Sequence, residues 1–242
     1  MIGLFGGTFD PIHYGHLRPA LEVFEILGLD ELRLIPLREA VHREPPQTTP
    51  ADRLAMVEAA VADQPGFVAD PRELQRHGGS YTYDTLTSFR AEFGIERPLC
   101  LLLGEDAFRG FLSWRRSSEI LTLAHLVVMA RPIPGPRLNP ALAALYTARR
   151  AMDPAALATR PAGRIYRHPV TQLAISSTAI RALVAAGRSP RYLVPDPVIA
   201  IIERKGLYRA SEHPPRRLTA PRTTTEEIAC SLSNSRPSSS TP

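Results

Sequence analysis

The sequence predicts an α/β protein built on a parallel sheet, and three observations carry that prediction. Short apolar runs alternate with amphipathic stretches from residue 1 to about residue 208. Residues 99–103 and His125–Ala130 are apolar almost throughout, as strands buried on both faces of a parallel sheet are. No repeat of fixed period breaks the alternation, and strand–helix alternation of this kind implies right-handed crossovers onto one sheet.

Taken in order, residues 1–5 read as a first strand that breaks at Gly6-Gly7. A helix over 15–27 follows, with Leu17, Leu21, Phe24 and Leu27 at helical spacing and Gly28 suited to the position just past its end. Residues 32–36 form a second strand ended by proline. Thr49-Pro50-Ala51-Asp52 opens the next helix, with Thr49 as cap, Pro50 in the first turn and Asp52 completing an approximate capping box. Leu54, Val57 and Val61 are its expected buried stripe. Phe67–Ala69 reads as a strand, and 83–93 as a helix capped by Thr82 and stopped by Gly94. The strand at 99–103 leads to a helix at 118–123, the strand His125–Ala130, a proline-rich loop at 132–140 and an alanine-rich helix at 141–151. A weak strand at 164–166 precedes a serine-capped helix at 176–186, and a last helix runs from Asp196-Pro197 to Gly206.

A chain of 242 residues with 44% hydrophobic and 22% charged residues excludes wholesale disorder and rod-like folds. No apolar run approaches the ~20 residues of a membrane helix, and no basic region precedes the short apolar start, so neither a membrane span nor a secretory signal is expected. Cys100 and Cys230 cannot make a disulfide framework, and a cytoplasmic location is the expectation. The net charge is +5, yet Lys205 is the sole lysine and the arginines are scattered beside Glu and Asp. That pattern suits a solvated surface or a small phosphate-bearing ligand rather than a polynucleotide. From about residue 210 the composition turns to Ser, Thr, Pro and Arg, and a disordered tail over 210–242 is expected.

The chemistry concentrates in Gly6-Gly7-Thr8-Phe9-Asp10-Pro11-Ile12-His13-Tyr14-Gly15-His16. Glycines at a strand end let backbone approach a ligand, and free N–H groups there suit anionic oxygens. His16 falls at the start of a helix, whose positive dipole end favours phosphate, and His13 can point to the same spot. In open α/β sheets ligands bind at such a place. A zinc site would want further ligands, which no Cys or His cluster supplies, and two structural histidines remain the bland alternative. The loop is neither a Walker A sequence nor a Gly-x-Gly-x-x-Gly fingerprint. Ile175-Ser176-Ser177-Thr178-Ala179-Ile180-Arg181 sets three hydroxyls at a helix start with Arg181 one turn on. Such a group can hold a polyphosphate, or can be an ordinary serine cap beside a surface arginine.

Together these two segments closely resemble the adenylyltransferases of the nucleotidyltransferase superfamily, which pair a His-x-Gly-His turn with an Ile-Ser-Ser-Thr-x-Ile-Arg segment. Within it the chain resembles the bacterial nicotinate-nucleotide adenylyltransferases, through Ser80-Tyr81-Thr82-Tyr83-Asp84-Thr85-Leu86, Gly104-Glu105-Asp106, Trp114, Arg131-Pro132 and Gly206-Leu207-Tyr208-Arg209. The resemblance covers about residues 1–209 and implies a Rossmann-like, doubly wound core over 1–175 with a small helical part over 176–209 packed back over the nucleotide.

It further implies ATP and nicotinate mononucleotide as substrates, deamido-NAD and pyrophosphate as products, and in-line attack at the α-phosphorus. His13, His16 and Arg181 are the implied catalytic residues. Gly6, Gly7, Thr8, Phe9, His16, Gly104, Asp106, Ser176, Ser177 and Arg181 would bind ATP; Arg43, Tyr81, Thr82 and Trp114 would bind the mononucleotide. Mg²⁺ would be held mainly by the ATP phosphates and water, with no dedicated carboxylate cage. Asp106 could meet a ribose hydroxyl or cap a helix, and Trp114 could stack on the pyridine ring or fill the core. The sequence departs from the family where Ala40-Val41-His42-Arg43 replaces Pro-Pro-His-Lys, though an arginine fork can still bind phosphate. Phosphopantetheine adenylyltransfer, dual use of nicotinate and nicotinamide mononucleotides, an aminoacyl-tRNA synthetase relative and a non-catalytic nucleotide-binding module are the alternatives. No nucleic-acid or membrane partner is expected.

Overall fold

The computed structural model of the protein describes residues 1–38, 45–76, 78–131 and 137–209. The expectations for His42, Arg43, Pro132, Cys230 and the tail lie outside the described residues. Among the described residues no helix is long and apolar enough to cross a membrane.

The chain runs β1 (Ile2–Gly7), α1 (Tyr14–Leu27), β2 (Glu31–Pro36), α2 (Pro50–Val61), β3 (Phe67–Ala69), α3 (Arg72–Gln75), α4 (Thr82–Phe93), β4 (Leu99–Gly104) and α5 (Glu105–Arg109). It continues with α6 (Ser117–Leu123), β5 (His125–Ala130), α7 (Pro140–Arg149), β6 (Arg150–Ala151), β7 (Ile165–Pro169), α8 (Ser177–Ala185) and α9 (Asp196–Lys205). The strands form one sheet in the order β3-β2-β1-β4-β5-β7-β6, with every pairing parallel. This is the doubly wound, Rossmann-like α/β fold expected from the sequence. Ile2 stands opposite Glu31 on one side and Leu99 on the other. Strand order therefore reverses between β1 and β4, and ligands of such sheets bind outside the carboxyl ends at that reversal.

Both faces of the sheet are buried. Phe5, Leu34, Leu102 and Val127 pack with α1, α2 and α9 on one face. Leu4, Ile35, Leu101, Leu103 and Val128 pack with Leu86, Phe89 and Phe111 on the other. Adjacent residues of one strand thus feed opposite layers, which is why the central strands read as unbroken apolar runs.

Local signals hold where they are local. Gly28 and Gly206 end α1 and α9 with φ of 55° and 62°, a conformation only glycine adopts without strain. Thr49 accepts from the Asp52 amide at 3.1 Å, while its hydroxyl donates to Asp52 Oδ2 at 2.7 Å.

Other expectations need correction. On α2 the buried stripe contains Arg53, Met56, Val57 and Val61, whereas Leu54 is only partly buried. On α1 the fully buried side chains are Pro19, Ala20, Val23 and Leu27, and Leu17, Leu21 and Phe24 border the core. Thr82 does not cap its helix; it is the first residue of α4, preceded by Tyr81, which makes no side-chain cap. The alanine-rich helix starts at Pro140 under an Asn139 cap and stops at Arg149, because Arg150 and Ala151 pair with β7. The four-residue α3 carries too little periodicity to be read from sequence.

Candidate active site

The turn after β1 is set by packing before any ligand enters. Gly7 is required because a β-carbon there would sit 2.7 Å from the Phe9 ring. Phe9 has φ 49° and is 1% exposed, with its ring edge-on to Phe5 and His16. Its side chain belongs to the core, so it can meet a nucleotide only through its backbone. Gly6 meets only Leu37 Cδ2 at 3.9 Å, and Gly104 at the end of β4 meets nothing within 4 Å. The protein's own packing does not require glycine at either place; both leave open space at the carboxyl ends of the two central strands.

The histidines come together as expected. Their rings stack with centroids 3.7 Å apart and planes at 25°. His13 precedes α1 without capping it and is 4% exposed. Burial lowers its pKa from 6.5 to about 4, so the ring is neutral at physiological pH. Its Nδ1 has no hydrogen-bond partner among the described residues. The glycine between the histidines is also dictated by packing. A β-carbon on Gly15 would lie 2.9 Å from His13 Nδ1 and 3.2 Å from the Ile175 carbonyl oxygen.

That carbonyl opens the second segment, so the two motifs meet at Gly15. Ser177 Oγ donates to the Pro11 carbonyl at 3.0 Å, and Arg181 Nη1 donates to the Asp10 carbonyl at 2.8 Å. Arg181 Nη2 reaches Thr178 Oγ1 at 3.3 Å. Ser176 is the N-cap of α8 and accepts from the Ala179 amide at 3.2 Å. The serine hydroxyls are therefore engaged in shaping the loop.

A cavity of about 610 Å³ opens beside this turn. Gly6, Gly7, Thr8, Gly104, Tyr81, Thr82 and Trp114 all face it, together with Arg115 and Glu73. Trp114 packs on Phe111 with centroids 5.7 Å apart while also lining the cavity. Asp106 stands apart. Gly104, not Asp106, holds the N-cap position of α5, and Asp106 is 74% exposed in an ion pair with Arg131.

Four further polar residues, none of them a candidate drawn from the sequence, stand in and around the site. Asp10 is buried, and its carboxylate accepts from the Gln47 amide at 2.8 Å, Thr48 Oγ1 at 2.6 Å and the Tyr208 hydroxyl at 2.7 Å. Burial and that neighbour raise the Tyr208 pKa. Arg53 is fully buried and donates to the carbonyls of Thr8 at 2.9 Å, Leu37 at 2.6 Å and Arg38 at 3.3 Å. Glu73 is 4% exposed and accepts from Thr85 Oγ1 at 2.6 Å. Asp10 and Tyr208 stand within segments that carry the family resemblance, and Arg53 sits on the apolar stripe of α2, where a charged residue is itself a signal. Glu73 has none. Among the described residues no group of three or more His, Cys, Asp or Glu could hold a metal.

Comparison with known proteins agrees with this architecture. Residues 4–183 match the family described as cytidylyltransferase-like. The chain is 50% identical over 209 residues to a probable nicotinate-nucleotide adenylyltransferase of Methylococcus capsulatus, covering 86% of this chain and 99% of that one. It is 52% identical to a protein of the same description from Pseudomonas fluorescens, covering 86% and 97%. Among solved structures, the Plasmodium falciparum nicotinic acid mononucleotide adenylyltransferase complexed with NaAD superposes with a TM-score of 0.63 at 17% identity, over 86% of this chain and 96% of that one.

Proposed function

The chain belongs to the cytidylyltransferase-like family and, within it, to the nicotinate-nucleotide adenylyltransferases, and from that premise we propose how its residues carry the reaction. The enzyme transfers the adenylyl group of ATP to nicotinate mononucleotide, giving deamido-NAD and pyrophosphate in NAD biosynthesis. The nucleophile is a 5′-phosphate already ionised at neutral pH, so no general base is needed. The site must instead hold two anions against mutual repulsion and align one on the α-phosphorus of the other.

The observation that carries the proposal is the meeting of the two motifs at Gly15, in the same turn whose first residues, Gly6, Gly7 and Thr8, line the cavity. ATP lies along Gly6, Gly7, Thr8 and the Phe9 backbone, with its adenosine toward Gly104 and Asp106. His16 and the neutral His13 donate to the α-phosphate and the bridging oxygen. A neutral ring acts there as a hydrogen-bond donor, not as a cation. Arg181 holds the β- and γ-phosphates, aided by the backbone amides of Ser176 and Ser177 at the N-terminus of α8. Trp114 stacks on the pyridine ring, and the uncapped first turn of α4 at Tyr81–Thr82 receives its carboxylate. Arg43 binds the mononucleotide phosphate.

The loop's own carbonyls are kept out of the way. Those of Thr8, Asp10 and Pro11 are each tied to a donor, from Arg53, Arg181 and Ser177 in turn. A carbonyl so engaged cannot turn its negative end toward a phosphate. The buried carboxylate of this loop is Asp10, and its oxygens are already taken. The donor set therefore fits Mg²⁺ bound through substrate phosphates and water, where it would neutralise charge on the triphosphate.

Pyrophosphate release with ATP and each of nicotinate mononucleotide, nicotinamide mononucleotide and phosphopantetheine tests the substrate assignment. Release should be fastest with the first; a faster rate with phosphopantetheine would overturn it. Inversion at the α-phosphorus is expected for direct displacement, and retention would exclude it. Replacing His16 with Ala should cut turnover steeply while nucleotide binding weakens far less.

A further inference from the structure

Glu73 is a buried acid on the wall of the cavity, and neither motif uses it. It sits on α3 behind the first turn of α4. Its Oε1 accepts from Thr85 Oγ1 at 2.6 Å, and the Ser80 hydroxyl is near enough to favour its charged form. Ser80 Oγ in turn accepts from the Arg38 amide at 3.1 Å. Ser80 precedes and Thr85 follows the Tyr81–Thr82 step, so this one carboxyl holds the uncapped helix start through Thr85 and stands near Ser80 ahead of it. Its second oxygen, Oε2, is buried without a partner among the described residues.

We propose that Glu73 positions the first turn of α4 for a mononucleotide whose ring carries an anionic substituent, and so sets preference for the acid over the amide. The proposal rests on the reaction given above. A helix start selects a carboxylate through the positive potential of its unpaired amides, and that potential acts only over the first turn. A shift of that turn on the order of 1 Å can cost about 100-fold in a bound reaction.

The charge state of the brace matters as well. An ionised Glu73 would oppose the helix potential where the substrate carboxylate must sit. Burial raises the Glu73 carboxyl, and the nearby Asp70 charge raises it further, while Thr85, Ser80 and Arg76 act to lower it. Asp70 is itself neutralised by Arg33 and Arg72, Arg76 donates to Thr85 Oγ1 at 3.1 Å, and Arg38 donates to the carbonyls of Leu74 and Arg76. On the α4 side, Arg115 lies over the Tyr81 ring at 4.5 Å. Burial thus favours the protonated form, in which the brace leaves the helix potential to the ligand.

The test uses the full-length protein with Glu73→Gln, Glu73→Ala and Thr85→Val. Binding of nicotinate mononucleotide is followed by fluorescence of Trp114, the single tryptophan, which lines the cavity. Turnover is measured with both mononucleotides. Glu73→Ala and Thr85→Val should weaken nicotinate mononucleotide binding about 10-fold or more and shrink the preference over nicotinamide mononucleotide by a similar factor, with KM for ATP moving by less than about 3-fold. Glu73→Gln, neutral and able to accept from Thr85, should stay within about 3-fold of the parent. The parent's KM for nicotinate mononucleotide should rise with pH more than that of Glu73→Gln. An unchanged preference in Glu73→Ala or Thr85→Val, or a Gln variant as impaired as the Ala variant, would overturn the proposal alone. A parent enzyme that adenylylates neither mononucleotide would overturn the reaction and the proposal with it.

Discussion

The Arg181 guanidinium donates to the Asp10 backbone carbonyl at 2.8 Å, joining residues 171 positions apart. The same Asp10 holds the Tyr208 hydroxyl through its side chain at 2.7 Å. One residue of the first turn is thereby clasped from α8 and from the segment after α9. Arg181 ties back a carbonyl with Nη1, and in the proposed reaction its other nitrogens would meet phosphate as well.

Arg181→Lys separates those roles. Lysine keeps the charge but cannot serve a carbonyl and a phosphate from one planar fork. kcat/KM for ATP should fall about 100-fold, comparable to losing an electrostatic donor at a reacting centre. Steady-state kinetics with varied ATP checks this, and unchanged kinetics would show that charge alone suffices.

Gly15→Ala and Gly104→Ala contrast two reasons for a glycine. The first puts a methyl 2.9 Å from His13 Nδ1, so His13 or the Ile175 carbonyl must move. It should cost about 1–3 kcal/mol of stability and most of the turnover. The second meets nothing within 4 Å. Gly104→Ala should leave the melting temperature unchanged while raising the KM of the nucleotide whose backbone approach it blocks. Thermal melts paired with kinetics distinguish the two.

His13 gives a pH dependence of definite sign. Its pKa falls from 6.5 in the unfolded chain to about 4 in the folded protein, through burial. The unfolded chain binds the extra proton between those values, so stability is full above the higher and declines as pH falls toward the lower. The loss should be on the order of 3 kcal/mol. Denaturant midpoints measured across that window should drop less in His13→Asn than in the parent. An equal slope in both would show that His13 is not the titrating group.

Arg53→Met removes the buried cation that satisfies the carbonyls of Thr8, Leu37 and Arg38. Leaving buried carbonyls unpaired costs about 1–3 kcal/mol each. Destabilisation of about 3–5 kcal/mol is expected, as for a broken buried charge site. Chemical unfolding reads it, and Arg53→Lys should recover only part, because an ammonium cannot span acceptors spread over two loops.

Much of this molecule is written locally. The strands Phe67–Ala69 and His125–Ala130, the stops at Gly28 and Gly206 and the Thr49 cap follow from alternation, left-handed backbone and one-turn hydrogen bonds. Where local pattern misleads, a distant partner has intervened. Leu54 yields its place on α2 to Arg53 because three loop carbonyls need a donor. The helix over Pro140–Arg149 stops early because Arg150 and Ala151 find β7.

By itself the sequence determined the doubly wound sheet and singled out the two motif segments at residues 6–16 and 175–181, since these rest on periodicity and on motifs within a dozen positions. The tertiary structure decided which polar groups are buried and what they hold. It made His13 neutral, set Arg53 beneath the first turn and gave Glu73 its grip on α4. Desolvation and hydrogen-bond partnering depend on every neighbour in space. For Asp10 those neighbours range from Gln47 to Tyr208, so no local pattern could carry them.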